Sequence, residues 1–241
     1  MANFFSYDSR FSHIAFRVAY GCFLNLLWFV ASIPIFTIGA STTALYAVAL
    51  KIAANEEGDV FIQFRDAFFR NFKQATVIWL ILLAVGILLG TDIYILIHLR
   101  NATTGAVAVV LTIALAMVIA ACVVLAIILM FVFPLIARVE NTSWNMIKNS
   151  LLIGTHYLFC TILVFAVHAV MAIAIIAVFT PLIVLGEGFV AIISAYIMLP
   201  VMKAVSKTPE ELEQIAEIER VEKIRQEARE SVERKAAEKD S

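Results

Sequence analysis

Long apolar stretches separated by short polar segments dominate the chain. Four of them approach or exceed the roughly 20 residues that an α-helix needs to cross a bilayer, namely residues 75–99, 106–134, 151–179 and the shorter 188–202. The apolar region at residues 18–53 is interrupted by Pro34 and is either one long span with a surface helix or two short spans. The pattern predicts an all-α integral membrane protein with about six transmembrane helices, five being the alternative.

The positions of Lys and Arg predict the orientation, because these residues favour the cytoplasmic ends of spans. Six spans with both termini inside place ten cations on cytoplasmic flanks and Arg100 alone outside, whereas five spans with an external amino terminus give eight against three. We therefore expect a multi-pass protein with both termini in the cytoplasm.

The C-terminal segment differs from the rest in composition. Residues 203–241 contain nine basic and eleven acidic residues, against nine and eight in residues 1–202. Thr208, Pro209 and Glu211 form a helix start signal, which predicts a charged helix that is either solvated or docked on a partner. The mixed signs favour no nucleic-acid binding. We expect a cytoplasmic N-terminus at residues 1–17, a transmembrane domain at 18–203 and a charged helical cytoplasmic tail at 204–241.

A second helical signal lies in the first inner loop. Phe61, Phe64, Phe68 and Phe72 fall on one stripe of a helix over residues 61–73, and the charged side chains lie away from that stripe. This pattern predicts a separate amphipathic helix in the inner headgroup layer with its Phe face towards the lipid.

Motifs of enzymatic chemistry do not occur in the sequence. It contains no GxxxxGK[ST], HExxH, GxSxG or GxGxxG. The four histidines and the acids of the apolar body have no spacing typical of metal ligands or of a nucleophile with its base. We expect no enzyme activity, no cofactor and no metal.

Two ionisable residues at membrane depth are the candidate functional residues, since lipid penalises charge by about 2.5 to 3.5 kcal/mol. Asp92 and His168 lie at similar heights in two spans of the same direction. They form a structural pair or a proton or substrate relay, or Asp92 bonds a nearby hydroxyl or water instead. Gly86 and Gly90 form a GxxxG pattern, which predicts helix packing within the monomer, with dimerisation as the alternative.

The N-terminal half resembles the signature of the YesL-like family of bacterial integral membrane proteins of unknown function. The matching segments are Asn25-Leu26-Leu27-Trp28, Ser32-Ile33-Pro34, Thr37-Ile38-Gly39-Ala40 and Thr43-Ala44-Leu45-Tyr46. The resemblance covers roughly residues 5–203. It implies a bacterial cytoplasmic membrane and, since such proteins are encoded beside carbohydrate ABC importers, a link to sugar uptake; it implies no catalytic residue.

Pro34 and Gly39 predict an interruption of the helix within this motif. Pro34 donates no backbone hydrogen bond, so protein or water must satisfy the freed groups; Thr37 is placed to do so. The interruption is either a hairpin turn at the outer face or a broken helix that lines a solute or partner cavity.

These observations favour an accessory or interaction protein of a carbohydrate ABC import system, which contacts importer subunits through its inner loops and tail. Residues 139–149 lack the EAA-type loop with which a permease subunit docks its ATPase. A small-solute channel or secondary transporter is the first alternative, and a membrane signalling or chaperone component is the second.

Overall fold

The fold is a bundle of α-helices. The computed structural model describes residues 10–56, 58–177, 182–206 and 220, with side chains from Ala19 in the first helix and from Gly186 in the last. Its helices are α1 (Arg10–Ser32), a one-turn 3₁₀ helix (Ile35–Thr37), α2 (Ile38–Ala53), α3 (Val60–Ala102), α4 (Ala106–Arg138), α5 (Ser143–His156), α6 (Leu158–Ala177) and α7 (Leu182–Val205). No strand occurs within the described ranges. The all-α prediction is confirmed.

Five helical segments are long and apolar enough to cross a membrane. They are Ile35–Ala53, Val60–Ala102, Ala106–Arg138, Leu158–Ala177 and Gly186–Val205. The apolar part of α1, Ala19–Ser32, is shorter. The protein is therefore a multi-pass membrane protein by the length and composition of its helices.

The chain divides into two compact units, residues 1–202 and 203–241. Of the second unit, only residues 203–206 and Arg220 are described. The predicted helix start at Thr208 and the rest of the charged tail lie outside the described residues.

Helix α2 forms the centre of the first unit and packs against α1, α3 and α4. Its small and aliphatic residues bury most of its surface. Gly39 allows the closest approach, because a Cβ there would lie 2.5 Å from both the Ala75 carbonyl oxygen and the Trp79 Cβ. Real Cβ atoms do not come that near to other heavy atoms, so this contact requires glycine.

The interruption at Pro34 is a hairpin turn. The Thr37 hydroxyl lies 2.6 Å from the Ala31 carbonyl oxygen and 2.7 Å from that of Pro34, and the Trp79 indole N–H donates to the Ile35 carbonyl at 2.8 Å. These bonds satisfy the backbone groups that the proline frees. The turn lies beside the middle of α3, at Trp79, and not beside the end of α3 at Ala102.

The prediction of a separate surface helix over residues 61–73 is wrong. These residues form the first third of α3, which begins where the Asp59 side chain accepts a hydrogen bond from the Ile62 amide at 2.9 Å. No proline interrupts the following residues, so the helix continues for 43 residues. The predicted lipid-facing stripe mostly faces protein: Phe64 is buried and only Phe61 is largely exposed.

The span predicted at residues 151–179 is also divided differently. The helix breaks at Tyr157, so residues 151–156 belong to α5 and the apolar helix α6 begins at Leu158. The Thr161 hydroxyl donates to the Gly154 carbonyl at 2.6 Å, which satisfies a backbone group at the break. Gly154 itself packs against Ile127 and Phe131 of α4, so α5 is held by tertiary contacts.

Candidate functional site

A cluster of polar side chains lies between α1, α2, α6 and α7. Asn25 and Ser194 are fully buried and Tyr46 is nearly so, while His168 and Glu187 are partly buried. Buried polar groups are costly in a membrane protein unless they bind one another, water or a ligand. This cluster is therefore the candidate functional site.

Two glycines bring α1 and α7 together at the cluster. A Cβ on Gly188 would clash with the Gly21 carbonyl oxygen and would lie 2.9 Å from the Asn25 Cβ. Because the backbones are this close, the Gly188 amide donates to the Asn25 side-chain oxygen at 2.8 Å. This hydrogen bond thereby links α1 to α7 through two residues that are 163 positions apart in the sequence.

Tyr46 of α2 points to the same region. Its hydroxyl is close enough to the Glu187 carboxylate and to the Ser194 side chain to interact with both. The Ser194 oxygen nevertheless makes no hydrogen bond of good geometry. Tyr46 thus joins the family motif on α2 to the polar residues of α7.

His168 and Glu187 come together because α6 and α7 form an antiparallel hairpin. Gly186 faces Met171 near one end of α6, and the Cys160 thiol lies 3.7 Å from the Ile197 carbonyl oxygen near the other. The Glu187 carboxylate and the His168 imidazole lie close enough to interact across this hairpin. The other side of the imidazole is engaged locally, since Nδ1 lies 2.8 Å from the Val164 carbonyl oxygen.

Two polar atoms of the cluster have no hydrogen-bond partner in the described part of the chain, the Asn25 side-chain nitrogen and the Ser194 hydroxyl. An amide N–H and a hydroxyl beside a carboxylate can hold a water molecule or a small polar group. Carboxyl, imidazole and phenol groups are also side chains that transfer protons in proteins. The described residues contain no group of three His, Cys, Asp or Glu side chains that could hold a metal ion.

The structure does not bring Asp92 to His168. Helices α3 and α6 do not pack against each other, and Asp92 lies on the exposed surface of α3. The hydroxyl of the neighbouring Thr91 bonds instead to the Ile87 carbonyl at 2.6 Å. The pairing hypothesis is wrong because it matched heights along two helices without knowing which helices are neighbours.

The GxxxG residues have different surroundings. A Cβ on Gly86 would lie 3.7 Å from the Leu125 Cδ2 of α4, whereas a Cβ on Gly90 would have no atom within 4 Å. Packing within the monomer therefore involves Gly86, and Gly90 lies on an open face.

The remaining motif residues build the α1–α2 hairpin. Pro34 precedes the 3₁₀ turn, Thr37 bonds its backbone and Gly39 contacts α3. Ala44 is fully buried in α2. Of the motif residues singled out from the sequence, only Asn25 and Tyr46 reach the polar cluster.

Sequence reasoning missed Glu187, which lies just before the predicted span at residues 188–202. The signal was the sequence Gly186-Glu187-Gly188, one carboxylate between two small residues beside an apolar run. Glycines suggest a turn, but here both lie within α7. Gly186 packs against Met171 of α6, and Gly188 packs against the backbone of α1. A charged residue between two glycines of an apolar helix marks a close helix contact as well as a turn.

Comparison with curated proteins and with solved structures found no match. Residues 22–93 match the family model of DUF624, a protein family of unknown function. This segment contains the N-terminal motif, the last eleven residues of α1, all of α2 and α3 as far as Ile93. The resemblance to the YesL-like membrane proteins is thus confirmed over residues 22–93, where the chain matches the DUF624 family.

Proposed function

We propose that the protein is a membrane-embedded accessory or interaction protein of a bacterial carbohydrate ABC import system, lying in the cytoplasmic membrane with both termini in the cytoplasm. The link to sugar import rests on the family resemblance. The observation that carries an interaction role is the length of α3 and the surface of its first third.

Helix α3 is longer than a bilayer is thick. Its 43 residues extend about 64 Å at 1.5 Å per residue, about twice the roughly 30 Å of hydrocarbon. Four charged residues lie in its first third, Arg65, Asp66, Arg70 and Lys73, and the following residues are uncharged as far as Asp92. This distribution supports a helix whose first third projects from the inner side of the membrane.

The surface of the projecting part supports contact with a protein. Phe69 is 70% exposed and Phe61 is 50% exposed; the exposed Arg65 lies between them and the exposed Arg70 follows Phe69. Aromatic residues and arginine are the types enriched at protein–protein interfaces. Phe64, which lies about 140° around the helix from Phe69, is only 5% exposed and serves the core.

Photocrosslinking in native membranes tests this proposal. A photoreactive phenylalanine analogue at position 69 is expected to crosslink to subunits of a carbohydrate importer, because that side chain is exposed on the projecting helix. The same analogue at position 64 is the matched control and is expected to give no intermolecular product. Crosslinks from position 69 to lipid alone, in membranes that contain the importer, would contradict an accessory role.

The polar cluster supports a second candidate, a proton-coupled channel or secondary transporter. Glu187 and His168 are ionisable, and buried unpartnered donors lie beside them. Ionisable residues inside a membrane bundle commonly mark proton or substrate pathways.

Proton flux into liposomes tests the second candidate. On this proposal, the lumen of a vesicle with the purified protein and an internal pH dye acidifies under an inward proton gradient. Glu187→Gln removes the flux because the amide neither takes up nor releases a proton. Glu140→Gln changes an exposed carboxylate outside the cluster and is expected to leave the flux unchanged. Equal, background-level flux from all three proteins would reject transport of protons.

A further inference from the structure

A cationic pocket lies between the ends of α2, α3 and α4. It has a volume of about 210 Å³ and is lined by Lys51 of α2, by Gln63, Asp66 and Arg70 of α3, and by Arg138 of α4. Cavities for drug-sized molecules are typically about 300 to 1,000 Å³. The pocket is therefore of a size for one small group held by charges from three helices.

The charges of this pocket are not balanced by the described part of the protein. Its one carboxylate, on Asp66, is engaged by Arg65 at 2.9 Å, which is the one ion pair among the described residues. Lys51, Arg70 and Arg138 remain without an acidic partner there. The pocket thus has an excess of positive charge.

Arg138 gives independent evidence of a missing acceptor. Its Nε atom is buried and has no hydrogen-bond partner in the described part of the chain. A buried charged donor without an acceptor is costly, because it has lost water and gained nothing in exchange. Arg138 lines the pocket, and a small rotation of its side chain would present Nε to an anion held there.

The helix dipole explains only part of this arrangement. Lys51 and Arg138 lie in the last turns of α2 and α4, where cations interact favourably with the helix C-terminus. That effect does not require Arg138 Nε to be buried without an acceptor. It also does not explain Arg70, which lies well inside α3.

We propose that this pocket binds a phosphate group, and specifically that of an anionic phospholipid. Guanidinium and ammonium groups are the usual partners of phosphate. Basic pockets between transmembrane helices on the cytoplasmic side bind anionic lipid headgroups. Arg70 lies one turn before the long uncharged stretch of α3, at the base of its projecting part, and this is the level expected of a headgroup phosphate. Free phosphate is the other source of the same chemistry.

Lipid binding to the full-length protein in nonionic detergent tests the proposal. Phosphatidylglycerol is titrated in, with phosphatidylcholine as the zwitterionic comparison, and bound lipid is counted by native mass spectrometry. We expect phosphatidylglycerol to bind at least about tenfold more tightly than phosphatidylcholine and to raise the melting temperature of the protein. Its binding should weaken as salt rises, because the attraction is electrostatic.

Single substitutions locate the site. Lys51→Gln and Arg70→Gln change exposed pocket residues and should each weaken phosphatidylglycerol binding by about tenfold, the value of one charge-assisted hydrogen bond. Lys73→Gln removes an equally exposed cation outside the pocket and should change binding by less than about twofold. Arg138→Gln is expected to lower affinity most, and Arg138→Lys to restore only part of it because the fork geometry is lost.

The source of the phosphate is decided in the same assay. Stabilisation by inorganic phosphate at millimolar concentration, equal in size to that by phosphatidylglycerol, would overturn the lipid assignment and leave a soluble phosphate compound as the ligand. Equal binding of both lipids, or equal loss in the Lys73→Gln and Arg70→Gln variants, would overturn the site itself. None of these outcomes depends on an importer partner, so the proposed function is tested separately.

Discussion

Replacing Gly39 by valine is expected to detach the α1–α2 hairpin from α3. The new Cβ would meet a backbone carbonyl and the Trp79 Cβ at 2.5 Å, and neither can rotate away as a flexible side chain would. We expect a loss of about 3 kcal/mol in the free energy of unfolding. Titration of the detergent-solubilised protein with a denaturing detergent, followed by tryptophan fluorescence, measures this loss.

Gly90→Val provides the matched control. It makes the same chemical change in an apolar helix, at a position where nothing lies within 4 Å of the added atom. A change below about 1 kcal/mol is expected, because valine is a slightly better helix former than glycine and the added atoms meet nothing. Equal losses in the two variants would mean that Gly39 does not make the contact described above.

Replacing Asn25 by leucine should have the second largest effect. The change removes the acceptor of the Gly188 amide hydrogen bond in the buried contact between α1 and α7. The expected cost is about 1 to 3 kcal/mol, since a buried donor loses its partner. The same denaturation measurement applies. In addition, the distribution of distances between spin labels on α1 and α7 should broaden.

Asn101→Leu is the control for the asparagine change. Asn101 lies at the exposed end of α3, and its side-chain contact with Arg100 is long at 3.5 Å. We expect a change of about 0.5 kcal/mol or less. An Asn25→Leu protein as stable as this control would remove the structural basis of the polar cluster.

The all-α class of the protein could be predicted from the sequence because its long apolar stretches are surrounded by lipid. Lipid offers no partners for backbone groups, so an apolar stretch of sufficient length has few structures other than a helix. Hydropathy therefore located the C-terminal part of α3 and most of α4 closely. It did not locate the start of α3, because amphipathic and apolar segments join there without a helix breaker.

Neighbour relations between helices could not be predicted in the same way. Asp92 and His168 share a height, but the bundle places His168 beside Glu187 on α7 and leaves Asp92 on the surface of α3. Which helices pack together depends on close contacts such as that between Gly21 and Gly188. Those contacts involve small residues whose pattern in the sequence is the same whether a partner faces them or not, as Gly86 and Gly90 demonstrate.

The position of the Pro34 turn beside Trp79 has a consequence for mapping topology. From Trp79 to Ala102, α3 rises about 35 Å, more than the roughly 30 Å of hydrocarbon. The Pro34 turn and the α3–α4 turn therefore cannot share one membrane surface. Fusions of reporter enzymes at the amino terminus and after Gly58 record only sidedness, which is the same whatever depth a hairpin reaches. Quenching of a fluorophore at Phe36 by lipids brominated at defined acyl-chain positions measures the penetration depth instead.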